Sequence, residues 1–315
     1  MASAPDSGLA QAAPAAPVMA GRDWALLGLM SAMFGGAFTF IELGLRAADP
    51  VTLMALRVGL GGLALSVALA ATGQGLPRGR WRDLFIIGTL NTALPFSLIM
   101  WAQTHLTSGL TAILNTSAPV FAVLLAHVFF ADEKLRAHRL AGVLMGMAGV
   151  AVVLGPGALD GAENHLGAEL AVLAAALSYA LAGVYGRRHG LGGLAPVQAA
   201  GGMLLAASVC AVPLAFLLGE PVKSLAALST DAVALGGVAG VALVSSAAAY
   251  PLYFILLRRV GVGNLLLVAI LGPTVGVFLG VVALGETLAW TAFAGLALIV
   301  IGLLTMDGRF PRLRT

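Results

Sequence analysis

Ten apolar blocks of about 20 residues follow one another along this chain. They lie at roughly 24–46, 50–71, 83–104, 107–130, 138–156, 166–186, 195–218, 232–256, 261–284 and 288–306. A helix needs about 20 apolar residues to cross the hydrocarbon of a bilayer. Helices of this kind satisfy their backbone polar groups internally, as lipid demands. A membrane β-barrel would instead show alternating segments of about ten residues. Composition agrees with the blocks: 60% of residues are hydrophobic and only 10% charged, against roughly 25% charged in soluble domains. Such a chain cannot cover a water-facing surface. A soluble enzyme, a nucleic-acid binder and a disordered protein are thereby excluded. The expected fold class is an all-α membrane protein with ten transmembrane helices, and membrane lipids are its first partner. Cys210, the single cysteine, has no intramolecular disulfide partner.

Lysine and arginine set the orientation, because they collect on the cytoplasmic side. With the N-terminus inside, fourteen of the 17 fall in inner segments; Arg46 and Lys223 fall in outer loops and Arg57 within the second block. Both termini are therefore expected to be cytoplasmic, with the loop around 158–165 outside. Residues 1–21 are rich in Ala and Pro, and the first 20 carry no basic residue. They lack the charged start of a signal peptide and read as a disordered cytoplasmic tail. Residues 307–315 read as a second one.

The blocks repeat. Pro119, Glu133, Leu135, Gly142 and Gly149 around blocks four and five match Pro273, Glu286, Leu288, Gly295 and Gly302 around blocks nine and ten. The offset is 154 before the acidic loop and 153 after it. A unit of five helices is odd, so its second copy enters the membrane upside down. The reading is two inverted five-helix repeats, 22–156 and 166–306, the architecture of many secondary transporters. Ala118, Ala122 and Ala126 in block four match Gly272, Gly276 and Gly280 in block nine. These small-residue ridges allow close helix crossing. Glu133 and Glu286 fall at helix ends on opposite faces, where capping is the expected role.

The doubled Pro…Glu…Leu…Gly…Gly pattern in a ten-helix chain resembles the EamA-type branch of the drug/metabolite transporter superfamily. Arg57 after Pro50 resembles that family's first-repeat pattern as well. Relatives often carry Trp-Gly near the centre of the first helix, where this chain has Phe34-Gly35. The resemblance covers about 22–306. It implies a multi-pass protein of a bacterial-type inner membrane that exports small metabolites, amino acids or drugs, with no cofactor.

Polar groups in hydrocarbon cost free energy unless paired or facing a cavity, so they mark candidate pathway residues. Asn91-Thr92 near the centre of block three match Ser245-Ser246 in block eight at the offset of 154. These pairs are expected either to line a midplane cavity or to bond carbonyls one turn back. Thr111, Asn115 and Pro119 share one helical stripe. Asn115 suits substrate contact or an interhelical hydrogen bond, since an amide donates and accepts. Phe34, Tyr179 and Tyr250 are candidate cavity walls. Glu42 and Arg57 have similar expected depth near the outer surface. The expectation there is an ion pair across the first two helices, structural or gating, with proton coupling by Glu42 and simple exposure as alternatives.

No metal spacing, phosphate-binding loop or catalytic triad occurs, so ATP-driven transport and metal chemistry are not expected. Two other classes stay open on the residues alone: an intramembrane enzyme acting on a lipid-linked substrate, and a non-transporting scaffold. A small-molecule substrate is the expected partner, and a monomer the working state.

Overall fold

The computed structural model describes residues 19–131, 133, 136–154, 165–189, 193–265 and 267–307, apart from the side chains of 262 and 263. Most of the two expected tails and of the outer loop at 158–165 lie outside the described residues. The described chain forms ten long helices. They are α1 Gly21–Gly44, α2 Pro50–Ala71, α3 Trp81–Gln103, α4 Ser108–Phe129, α5 Ala137–Leu154, α6 Leu166–His189, α7 Pro196–Leu218 and α8 Ala232–Gly261, then α9 Val268–Leu284 and α10 Trp290–Asp307. The first eight are long and apolar enough to cross a membrane, and α9 and α10 are shorter apolar helices. A short helix, Pro221–Leu228, sits between α7 and α8.

Local chemistry sets the helix ends. Pro50 and Pro196 stand in the first turns of α2 and α7, where a missing N–H costs nothing. Asp49 caps α2 by accepting from the Val51 and Thr52 N–H groups, both at 3.0 Å. The same carboxylate accepts from the Glu220 N–H at 2.9 Å and the Ser224 hydroxyl at 3.0 Å. It therefore ties the start of α2 to the short helix after α7. Burial pushes the Asp49 carboxyl up, but hydrogen bonds from Thr52, Glu220 and Ser224 outweigh this and hold it below its ordinary 3.8.

Packing is mediated by small residues, because lipid offers no hydrophobic drive between helices. The α5–α10 pair crosses at two points. A Cβ on Gly142 would lie 2.5 Å from the Gly302 carbonyl oxygen, and one on Gly295 2.7 Å from the Gly149 oxygen. Gly142 is the repeat equivalent of Gly295, and Gly149 of Gly302. Exchanging the two copies therefore turns the Gly142–Gly302 contact into the Gly295–Gly149 contact, and the helices run antiparallel. A pseudo-two-fold axis between inverted copies produces this pattern. The contact map carries the same symmetry: α1 packs on α9 as α6 packs on α4, and α2 packs on α7.

A second crossing fixes the register of α2 and α7. A Cβ on Gly61 of α2 would lie 3.1 Å from the Ala242 oxygen of α8, and one on Gly88 of α3 would lie 3.3 Å from the Ala207 nitrogen of α7. Aligning Pro50 with Pro196 makes Gly61 equivalent to Ala207, and Gly88 is equivalent to Ala242. In this register Arg57 of α2 corresponds to Met203 of α7.

Three helices depart from regular winding beside the axis. π-helical turns occupy Thr89–Ala93 in α3 and Gly240–Ala248 in α8, which are matching stretches of the two repeats. In α4, helix runs over Ser108–Asn115 and resumes at Ala118–Phe129. Pro119 has no N–H to offer the Asn115 carbonyl, which explains the break.

Candidate functional site

The irregular stretches of α3 and α4, and α8 just after its π turns, border a cavity of about 390 Å³. Its walls come from α1, α2, α3 and α4 of the first repeat and from α6, α8 and α9 of the second. Aromatic rings dominate: Phe34, Phe38, Phe96, Tyr179, Tyr250, Tyr253 and Phe254 all line it. Phe34 meets Tyr250 edge-on, with ring centroids 5.7 Å apart, a favoured aromatic geometry. Polar groups on the wall are few, notably Asn91, Asn115, Thr116 and Arg57. An apolar pocket with a few placed polar groups is the usual form of a small-molecule site.

Asn91 and Asn115 come from the two interrupted helices of the first repeat. The Asn91 side-chain amide donates to the Met203 sulfur at 3.7 Å, and the Asn91 main-chain carbonyl accepts from the Tyr250 hydroxyl at 3.4 Å. Among the described residues the buried Asn115 Oδ1 has no hydrogen-bond partner. Its equivalent in the second repeat, Ala269, also lines the cavity. Polarity is therefore concentrated on one side of the axis.

Arg57 is 4% exposed. Its Nε donates to the Ser246 hydroxyl at 2.9 Å, and its guanidinium carbon lies 3.4 Å from the centroid of the Phe96 ring. Among the described residues no carboxylate lies within 4.0 Å of it. The expected Glu42–Arg57 ion pair is thus absent. Antiparallel α1 and α2 aim the two side chains at different neighbours. Arg57 points toward α3 and α8. Glu42 lines a second cavity of about 420 Å³ with Gln103, Arg46, His105 and Glu286. Gln103 Nε2 donates to the Phe38 carbonyl at 3.0 Å and, more weakly, to Glu42 at 3.4 Å.

Thr92, Ser245 and Ser246 do not line the cavity. The Thr92 hydroxyl donates to the Gly88 carbonyl one turn back. Ser245 donates across helices to the Met33 carbonyl of α1 at 2.6 Å. Ser246 accepts from Arg57 and donates to the Val241 carbonyl, five residues earlier, at 2.9 Å. Successive residues of a helix point about 100° apart, so neighbouring polar residues at one depth end on different faces. Phe96 and Tyr253 are wall residues that spacing alone did not single out, and Arg57 was assigned the wrong neighbour. Its place seven residues into a block, where every other Lys and Arg lies at a block end or between blocks, was the available signal.

The two motif carboxylates act at helix ends. Glu286 accepts from the Ser108 and Gly109 N–H groups at 2.8 and 2.9 Å, which caps α4. Glu133 pairs with Arg139 of α5 and with Arg187 of α6.

Comparison with known proteins follows the same division of the chain. A model described as the EamA-like transporter family matches residues 23–155 and again 166–306. An "Uncharacterized transporter" of Archaeoglobus fulgidus is 23% identical over 90% of this chain and 97% of its own. A "Probable terminal-alkyne amino-acid exporter" of Streptantibioticus cattleyicolor is 33% identical, over 51% of this chain and 52% of its own. Protein PecM of Dickeya dadantii is 25% identical over 75% of this chain and 77% of its own. A crystal structure aligns with a TM-score of 0.65 over 92% of this chain and 98% of its own at 22% identity, a likeness of fold.

Proposed function

The chain belongs to the EamA-like transporter family, a multi-pass membrane protein grouped with transporters rather than enzymes, and we propose that it is a secondary carrier exporting small metabolites or amino acids. The observation that carries this reading is the aromatic cavity walled by helices of both repeats. In an inverted-repeat carrier, rocking of one repeat against the other opens such a site to each side in turn. Phe34, Asn91, Asn115, Tyr179 and Tyr250 are the proposed substrate contacts. Thr92, Ser245 and Ser246 support them from behind the wall. Export of an amino acid by the Streptantibioticus relative, as its name states, favours that substrate class.

The membrane is a bacterial-type inner membrane in this reading, with both termini cytoplasmic as the arginine distribution demands. Impermeant thiol labelling in a Cys210→Ser background tests the orientation. Lys223→Cys should label in intact cells, and Arg78→Cys only after permeabilisation; the opposite pattern would reverse the topology. Function is tested by solute counterflow in proteoliposomes, with labelled amino acids and cationic drugs as the panel. Saturable counterflow of at least one solute is expected. Absence of flux across the whole panel, with folded protein in the vesicles, would favour a scaffold.

A further inference from the structure

We propose that Arg57 is an anion-binding group, and that the cavity takes an organic acid: a carboxylate held by the guanidinium and an apolar body held by the aromatic wall. This rests on the carrier reading and adds a charge requirement to it.

The first argument is the state of Arg57 itself. A guanidinium stays charged at any accessible pH, and a buried charge is costly unless paired. Arg57 is 4% exposed, yet among the described residues it has no carboxylate partner. Among the described residues its one hydrogen bond uses Nε, to Ser246. The two terminal nitrogens, which form the fork that fits a carboxylate, make none there. The face of the guanidinium is occupied by Phe96, so the planar group is held in one orientation. Ser246 itself is anchored to the Val241 carbonyl. The donor is therefore positioned before any ligand arrives.

The second argument is the symmetry. Met203 fills the equivalent position in the other repeat, where it is fully buried and its sulfur accepts from the Asn91 amide. Packing at this place does not require a charge. The arginine has a role that the methionine lacks, and it faces the cavity.

The third argument is the rest of the wall. No Asp or Glu side chain lines this cavity, so nothing there would neutralise a cationic solute. Asn115 Oδ1, buried and unpartnered among the described residues, is an acceptor awaiting a donor. A hydrogen-bond donor on the acid, such as an ammonium group, would satisfy it.

The test uses full-length protein in lipid nanodiscs and two probes of similar shape, 3-phenylpropionate and phenethylamine. Binding is read by calorimetry in chloride-free buffer and again with chloride added. Arg57→Met copies the other repeat's own residue and should fold as well as the parent. The parent should bind the acid at least about tenfold tighter than the amine, and Arg57→Met should lose about 30-fold or more of the acid affinity, as loss of one member of a buried charge pair does. Equal affinity for amine and acid in the parent overturns the proposal, as does absence of acid binding. Retention of acid affinity within about threefold in Arg57→Met overturns it too. Displacement of the acid by an equal concentration of chloride would reduce the site to one for inorganic anions and overturn the organic-acid claim. If Arg57→Met is not monodisperse, the parent's choice between the two probes decides alone. Proteoliposome counterflow separates the two readings. An acid that binds but is not carried leaves the anion site and removes the carrier. An amine that is carried when the acid is not leaves the carrier and removes the anion site.

Discussion

Substituting Gly142 and Gly302 by alanine, singly and together, tests the pseudo-two-fold packing of α5 on α10. A Cβ on Gly142 would lie 2.5 Å from the Gly302 oxygen, and a Cβ on Gly302 2.7 Å from the Gly142 oxygen. Real Cβ atoms essentially never approach closer than 3.0 Å, so either alanine must move the α5 and α10 backbones apart by several tenths of an ångström. The obstacle is backbone, not the tip of a flexible side chain, so it cannot rotate away. Overpacking of this kind costs about 1–3 kcal/mol per site. Both alanines crowd the same crossing. Once one has separated the helices, the second finds part of the space already made. The double variant should therefore lose less than the sum, with a coupling of about 0.5–3 kcal/mol. Gly142→Ala with Gly88→Ala is the control, because Gly88 packs on α7 and shares no partner with Gly142. That pair should add within about 0.5 kcal/mol. Stability is read by titrating purified protein in mixed micelles with denaturing detergent. Additive losses for Gly142 and Gly302 would refute direct contact at this crossing, and the inverted-repeat axis drawn through it.

Other substitutions separate wall from support. Asn91→Leu and Asn115→Leu should lower initial flux while melting temperature stays near the parent, because a cavity residue bears little packing; normal flux in both would remove them from the pathway. Ser245→Ala should do the reverse, losing about 0.6 kcal/mol for a cross-helix hydrogen bond with flux per folded molecule unchanged. Glu42→Gln and Arg57→Gln should be additive in stability, since the two side chains line separate cavities without a common partner; a strong coupling in that cycle would restore the ion pair. Asp49 is held below its ordinary 3.8, so its stabilisation is complete above that value and fades as pH falls through the lower, folded-state value. The melting-temperature gap between the parent and Asp49→Asn should accordingly be constant at neutral pH and narrow below pH 3.8; a gap that widens on acidification would contradict this sign.

Much of the fold was legible in the sequence for simple reasons. Hydrocarbon accepts only segments that satisfy their own backbone, so the apolar blocks mark the helices directly. The repeated Pro119 and Pro273, and the glycines at 142, 149, 295 and 302, carry the five-helix period because close crossings need residues without a Cβ. Odd helix number then inverts the second copy. Phe34, Asn91, Asn115, Tyr179 and Tyr250 could be placed near the midplane by counting residues along each block.

Facing was another matter. Depth follows from position along a helix, but the direction of a side chain depends on winding and on which neighbour it meets. Successive residues share a depth but point about 100° apart, so Asn91 reaches the cavity while Thr92 bonds backward and Ser245 bonds to α1. Glu42 and Arg57 share an expected depth and still occupy different cavities, because α1 and α2 are each packed by other helices. Apolar blocks and repeated glycines determined the number, order and inversion of the helices. Only tertiary packing decided that Arg57 stands against Phe96 and Ser246 at the wall of an aromatic cavity, since a charge in a helix carries no record in its own segment of what other helices place around it.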